Sequence, residues 1–315
     1  MNAPTTLLEA TRYFADADTC LEYMVNIRWP NGVVVCPTCD RTDANFLAAR
    51  RVWQCKSKHA KRQFSVKVGT IFEDSPISLD KWLVAVWMIA NAKNGVSSYE
   101  IARGIGVTQK SAWFMMHRIR LALQTGDFHG MKGEVEVDET FIGGKARNMH
   151  KSKRQAVIKG RGTVSKTTVL GLMQRGDDHA NSTVQAEIVS NTKRKTLSPA
   201  VRSHVVPGST VYTDALSSYT GLDVDYIHQV IDHAEAYVHG KVHTNGIENF
   251  WSLLKRAIKG TYVSVEPFHL FRYLDEESFR FNNRKDNDAG RFHDAVKGIA
   301  GKRLTYKALT GSVTA

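Results

Sequence analysis

The sequence predicts a multidomain α+β chain: a small cysteine-bearing ribbon, a helical domain, and a C-terminal α/β domain on a mixed five-stranded sheet. Three observations predict it. All the cysteines, Cys20, Cys36, Cys39 and Cys55, fall at the start of a 315-residue chain. Glycine-punctuated amphipathic stretches follow over residues 76–126. From residue 127, apolar runs of period two come first and then alternate with runs of period 3.6, the order of a mixed sheet covered by helices. The length allows two or three domains at about 100–200 residues each. A hydrophobic fraction of 42% with 23% charged residues supports packed cores.

Charge narrows the partners. Lys and Arg number 43 against 31 Asp and Glu, a net +12, so a polyanion, nucleic acid first, is the expected partner. No apolar run approaches the roughly 18 residues of a membrane helix, and no basic stretch followed by an apolar one opens the chain. A cytoplasmic protein is expected, with neither signal peptide nor membrane contact.

Residues 1–15 carry little pattern and read as an N-terminal tail. Residues 16–75 open with a helix striped by Leu21, Met24 and Val25, and Cys20 on it reads as a buried core thiol. Short strands are expected near 46–47, 52–54 and 63–68. Cys36 and Cys39 form a CxxC knuckle, and Cys55 with His59 supplies a second pair at x3 spacing. Two turns joined by strands can close a tetrahedron of soft and imidazole ligands, so these four residues read as a three-Cys, one-His structural Zn²⁺ site in a zinc ribbon. The alternative is a metal-free knuckle held by packing.

Residues 76–126 are helical. Ser78 precedes a helix carrying Trp82, Leu83, Val86 and Trp87. Ser97 and Glu100 have the spacing of a capping box, and Thr108 can cap a helix from Gln109. Ala102 and Gly106 stand at helix-turn-helix spacing. On that reading Gln109, Lys110, Trp113, His117 and Arg118 lie on or near the DNA-facing side; the alternative is a plain helical bundle with a solvated basic face.

Residues 127–290 form the α/β domain, and 291–315 a C-terminal tail without signal. Strands are expected at 134–142, 167–173, 183–189, 210–213 and 226–231. Helices are expected at 193–204, after Asp214, at 244–259 and at 267–283. The segment 145–166 holds eight Lys and Arg and no acid, Lys151, Lys153 and Arg154 among them; it is either a solvated loop or a clamp on the DNA backbone. Three acids carry the chemistry. Asp138 lies in a strand whose alternation sets Glu136 and Asp138 on one face and Val135, Val137 and Glu139 on the other. Asp214 ends a strand, where α/β sheets place ligands. Glu248 shares a polar helix stripe with Asn245, Ser252 and Lys255, beside an apolar stripe of Ile247, Trp251, Leu254 and Ile258. Three hard oxygen donors can hold two Mg²⁺ or Mn²⁺ ions about 4 Å apart, the arrangement for in-line phosphoryl transfer. Singly, each acid reads equally as a solvated or helix-capping carboxylate. Lys255 and Arg256 suit a phosphate near the cleaved bond. His233, His239 and His243 precede the helix and orient DNA or a ligand, or are ordinary loop histidines.

Asp138, Asp214 and Glu248, the last seven residues before Lys255, resemble the acidic triad of RNase H-like transposases. The knuckle at Cys36, and the stretches 62–66, 69–75, 107–115, 135–144, 244–262 and 273–284, resemble the zinc-ribbon branch of bacterial insertion-sequence DDE transposases. That resemblance covers most of the chain. It implies an RNase H-like catalytic domain, cut-and-join chemistry on terminal inverted repeats and target DNA, a homo-oligomer of two or more copies, and a nucleoid-associated protein in a bacterium. The chain departs from the pattern at Lys58, where a second cysteine is usual. The branch is also described with Asn as its third residue, which makes Asn245 a rival or companion of Glu248. A metal-dependent nuclease or resolvase on the same fold, and a non-enzymatic DNA-binding regulator, are the competing readings.

Overall fold

The computed structural model describes residues 4–124, 130–144, 151–152, 166–177, 180–231 and 242–311. The chain divides into two compact units: Met1–Gln124 with Asp286–Ala315, and Thr125–Lys285.

In the first unit, the stretch expected as an N-terminal tail contains helix α1 (Leu7–Tyr13), started by a capping box in which Thr6 Oγ1 accepts the Glu9 N–H and the Glu9 carboxylate accepts the Thr6 N–H. Helix α2 (Ala17–Arg28) follows, its Asp16 cap accepting the Thr19 N–H at 2.7 Å. Strands β1 (Ala44–Leu47), β2 (Val52–Cys55) and β3 (Gln63–Phe64) form an antiparallel ribbon in that order. The third strand stops short of the expected residue 68, because Val68 and Thr70 turn back to the Ser65 and Lys67 carbonyls. Helices α3 (Leu79–Asn91), α4 (Ser98–Ile105) and α5 (Gln109–Ala122) come next. Ser97 and Glu100 form the expected capping box, Gly106 closes α4 at φ +64°, and Thr108 caps α5.

The C-terminal residues, expected as a tail, instead form helices α9 (Asp288–Lys297) and α10 (Tyr306–Thr310) within this unit. Phe292 of α9 is 2% exposed and meets Phe14, Tyr23 and Trp87 at ring separations of 5.6, 5.8 and 4.9 Å. Ile71 N–H donates to the Ile299 carbonyl and Gly301 N–H to Gly69, so the chain end pairs with the segment after the ribbon.

The second unit is a mixed sheet with helices on both faces. Strands β4 (Glu134–Ile142), β5 (Thr167–Gln174), β6 (Thr183–Val189), β7 (Thr210–Asp214) and β8 (Ile227–Ile231) stand in the order β6-β5-β4-β7-β8. The first three pair antiparallel, whereas β7 runs parallel to β4 and β8 parallel to β7. One face packs Val135, Val137, Leu170, Leu172 and Val211 on helix α6 (Arg194–His204) through Leu197 and Val201. The other packs Val169, Met173 and Val184 on helices α7 (Asn245–Arg256) and α8 (Leu270–Asn282). β5 is apolar on both sides, as a central strand buried on both faces must be. The helix expected after Asp214 is a single 3₁₀ turn, Ser217–Tyr219, because the Asp214 carboxylate accepts the Leu216 N–H and bends the chain there. Past Arg256 the chain continues as a π-helical turn, Ala257–Tyr262. Among the described residues no helix is long and apolar enough to cross a membrane.

Emptying the Phe292 site leaves Phe14, Tyr23 and Trp87 without their common partner. Phe292→Ala is expected to destabilise the first unit by about 3–5 kcal/mol in chemical denaturation. A loss below about 1 kcal/mol would show that the C-terminal helices merely rest on this unit.

Candidate functional site

The ribbon brings Cys36, Cys39, Cys55 and His59 together with all four ligand atoms within 4.8 Å of one another. Cys36 Sγ lies 3.6 Å from His59 Nε2, and Cys39 Sγ lies 3.6 Å from Cys55 Sγ. These separations are the edges of a tetrahedron with metal–ligand bonds of about 2.0–2.3 Å, so the set fits Zn²⁺. Lys58, where a second cysteine was usual, is passed over and His59 supplies the fourth corner. Cys20 stands apart on α2 as a free thiol at 1% exposure, donating to the Phe14 carbonyl; burial, with Asp80 and Asp16 nearby, pushes it up to about 12.

The acids gather at one end of the second sheet. β4 and β7 pair in parallel with Glu134 opposite Thr210 and Glu136 opposite Tyr212, and Asp138 and Asp214 each follow two residues beyond the last pair on these adjoining strands. Alternation on β4 turns Glu136 and Asp138 toward α7 and turns Val135, Val137 and Glu139 toward α6. Helix α7 presents Asn245, Glu248 and Ser252 to solvent, holds Lys255 half-buried, and buries Ile247, Phe250, Trp251 and Leu254. Thr244 Oγ1 donates to the Glu248 carboxylate at 3.1 Å.

Electrostatics ties the three acids into one site. Burial raises Asp138 from 3.8 to about 6, opposed by the Trp251 indole N–H at 2.9 Å and the Glu139 N–H, and reinforced by the negative charges of Asp214 and Glu248. A divalent cation removes that mutual repulsion, and three carboxylates are the hard donors it prefers. The acidic group is more open than the ribbon cluster; among the described residues no other set of three or more His, Cys, Asp or Glu ligands reaches the 4.8 Å spacing. Lys255 belongs to the same field. Burial lowers its pKa, Asp138 pulls it back, and Lys259 and Lys166 depress it further. Ser252, Lys255, Arg256, Lys259 and Gly260 line one open concavity beside the acids.

Three supports went unread in the sequence. Arg175, just past β5, donates to Glu136 at 2.7 Å, to Glu134 at 3.3 Å and to the His243 carbonyl at 2.7 Å, with its guanidinium 4.1 Å from the Tyr212 ring. Glu136, 1% exposed, also accepts the Ile247 N–H at 2.9 Å and so caps α7. On the opposite face, Tyr219 OH donates to Glu139 at 2.5 Å; burial raises Glu139 to about 7 against that bond, and Asp214 and Asp138 raise it further. A charge in mid-strand was the available signal for Glu136. Arg175 offered none, because its partners lie far away in sequence.

The residues expected to face DNA are only partly exposed. His117 and Arg118, expected on or near the exposed side of α5, are 0% and 4% exposed. Arg118 donates to the carbonyls of Leu304, Ile71 and Glu73, backbone partners supplied by the C-terminal segment and the turn after the ribbon. Trp113 is half-buried with its ring 4.5 Å from that of His117. Lys110 is exposed, and Gln109 donates to Ser98 Oγ at 2.8 Å. Lys151 is exposed. Lys153, Arg154, His233 and His239 lie outside the described residues.

The Asp138 shift has a sign that can be measured. Folding raises this pKa, so the fold opposes the ionised form: the cost is absent below about 3.8 and complete above about 6. Without added divalent cation, Asp138→Asn is expected to stabilise the protein by about 1–3 kcal/mol at pH 7.5, with the gain shrinking as pH falls toward 4.5. Denaturant titrations at the two pH values check it, and an equal effect at both would remove Asp138 as its source.

Comparison with known proteins points the same way. A family model described as an ISXO2-like transposase domain matches residues 130–282, which include β4, β7 and α7 with Asp138, Asp214 and Glu248. A transposase zinc-ribbon domain matches residues 15–59, ending on the fourth ligand. An uncharacterized protein in transposable element ISH50 of Halobacterium salinarum is 29% identical over 263 residues, 80% of this chain and 86% of that protein. An uncharacterized transposase-like protein of Haemophilus influenzae is 38% identical over 101 residues, 32% of this chain and 81% of that protein.

Proposed function

Because the chain belongs to the insertion-sequence DDE transposases that carry a zinc ribbon, we propose that it binds the terminal inverted repeats of its own element, cleaves the ends and joins the freed 3′-hydroxyls to target DNA. One observation carries the chemistry: Asp138 and Asp214 each follow two residues past the last pair of adjoining parallel strands, and the Asp138 charge is opposed by both Asp214 and Glu248. The sheet order, with three antiparallel strands and two parallel ones, supports an RNase H-like catalytic domain.

Asp138, Asp214 and Glu248 hold two Mg²⁺ or Mn²⁺ ions, with Asn245 at the start of the same helix as companion or replacement for Glu248. Such a metal pair, when bound, stabilises the attacking and leaving oxygens of an in-line displacement at phosphorus. Lys255 and Arg256 take the phosphates flanking the cleaved bond from the concavity beside the acids. Water attacks first and a 3′-oxygen leaves; that 3′-hydroxyl then attacks a target phosphate and displaces the target strand's own 3′-oxygen, so no covalent enzyme intermediate is formed. In the first unit, α4 and α5 act as a helix-turn-helix. Gln109 and Lys110 stand at the N-terminal turn of α5, where base edges are read, and Trp113 backs that turn. Lys151, with Lys153 and Arg154, serves the DNA backbone. The ribbon binds a structural Zn²⁺ through Cys36, Cys39, Cys55 and His59. Two or more copies pair the element ends, on the nucleoid of a bacterial cytoplasm.

The test is a duplex carrying the repeat ends, incubated with protein and Mg²⁺. Asp138→Asn and Asp214→Asn are expected to abolish cleavage and joining by at least about 10³-fold while repeat binding survives, since the positions serve the chemical step alone. Near-normal cleavage by either variant overturns the assignment. Inactive Asn245→Ala beside active Glu248→Gln assigns the third position to asparagine. Cleavage of intact repeat ends with no joining of a precut end favours a nuclease.

For the ribbon, about one zinc per chain is expected by elemental analysis, and His59→Ala should lower that content and loosen residues 30–75. Full zinc content in His59→Ala excludes it as the fourth ligand.

A further inference from the structure

We propose that Trp251 is a positioning residue of the catalytic centre, its indole N–H fixing the orientation in which Asp138 receives a divalent cation. The inference rests on the reading of Asp138 as a metal ligand and adds a residue to that site.

Trp251 sits on the buried side of α7 at 4% exposure, among Ile247, Phe250 and Leu254. A buried indole still needs an acceptor for its one donor. Here the Nε1 donates to Asp138 Oδ2 at 2.9 Å. The ring reaches that oxygen because Gly171, the β5 residue paired directly with Asp138, has no side chain. A Cβ on Gly171 would stand 2.4 and 2.6 Å from Cζ2 and Cη2 of the indole, closer than atoms pack. Strand pairing, a missing side chain and a helix register thus converge on one hydrogen bond.

Packing alone does not require this arrangement. The cluster around Trp251 is otherwise aliphatic and phenylalanine, and a phenyl ring would fill the gap without bringing a donor to a strand acid. With an ionised carboxylate as acceptor the bond is charge-assisted, stronger and more directional than a neutral one. It occupies one oxygen and limits rotation about Asp138 χ2, leaving the carboxylate preset for a cation. Groups that orient a metal ligand in this way typically contribute 10–100-fold in metal affinity.

The experiment replaces Trp251 by 3-benzothienylalanine through nonsense suppression at codon 251, exchanging the N–H for sulfur in a ring of nearly the same shape; Trp251→Phe is the ordinary companion. Mn²⁺ binding to the zinc-loaded full chain is followed by the resonance of the free ion, and stability by thermal unfolding. The benzothienyl protein is expected to keep its melting temperature and to bind Mn²⁺ about tenfold or more weakly, with Trp251→Phe weakened similarly. Unchanged Mn²⁺ affinity in the benzothienyl protein overturns the proposal. Asp138→Asn in the same titration separates the two levels. If it loses Mn²⁺ while the benzothienyl protein does not, Trp251 merely packs and Asp138 remains a ligand. If Asp138→Asn binds Mn²⁺ as the unaltered protein does, the ligand reading fails and the proposal with it.

Discussion

Helix α7 lies against the central strands at a distance that two glycines permit, and the acidic site of the second unit depends on that close approach. A Cβ on Gly171 would press into the Trp251 ring, and one on Gly246 would stand 2.7 Å from Met173 Sδ and 2.9 Å from Glu136 Oε2. With both side chains absent, the helix N-terminus comes down onto Glu136 and the indole onto Asp138. A helix carried on larger residues would pack farther from the sheet, and its Ile247 N–H and Trp251 indole could not reach the two strand acids. The glycines are costly in an isolated strand or helix. Here they exchange local propensity for position.

A buried ion pair anchors the start of the same helix. Arg175 and Glu136 meet at 2.7 Å, with side-chain exposures of 13% and 2%. Burying two charges is unfavourable unless their remaining hydrogen-bonding capacity is filled. It is filled here: the second Glu136 oxygen takes the Ile247 N–H, and Arg175 reaches Glu134 and the His243 carbonyl. These contacts join β4, the end of β5 and the segment leading into α7. A carboxylate at a helix N-terminus also meets the positive end of the helix dipole. Glu136, which stands on the same face of β4 as Asp138, therefore has a separate task, holding the helix that carries Glu248.

How much was legible follows from how local each cause is. Alternation along β4 is a property of nine consecutive residues, so the faces of Glu136, Asp138 and Glu139 could be read directly. The polar and apolar stripes of α7 are equally local, as are the Ser97 box and the Thr108 cap. The ribbon ligands were legible because cysteine and histidine are scarce and their spacing is short. Gly171 was visible only as a glycine in a β-rich run; what it makes room for lies eighty residues away on another element. Arg175 and Phe292 belong to the same class, defined by partners rather than by neighbours. The capping box at Thr6 and Glu9 is an exception, a local signal that was present and went unused.

The basic residues carry a further lesson about reading function from charge. The net charge of +12 bears on the field that draws a polyanion in. It does not say which cations touch one. In the first unit several basic side chains end on main-chain carbonyls: Arg28 on Val66, Lys67 on Ser75 and Ile77, Arg118 on Ile71, Glu73 and Leu304, and Lys302 on Leu121 and Gln124. Lys302 meets carbonyls left open at the end of α5, where a cation is favoured. These groups secure turns and helix ends within the unit. Periodicity placed His117 and Arg118 near the exposed side of α5 because the helix was read alone. The C-terminal segment supplies the missing neighbour, since the Leu304 carbonyl accepts from Arg118. A helix face is solvent-exposed only with respect to the whole unit, and a returning chain end redefines it.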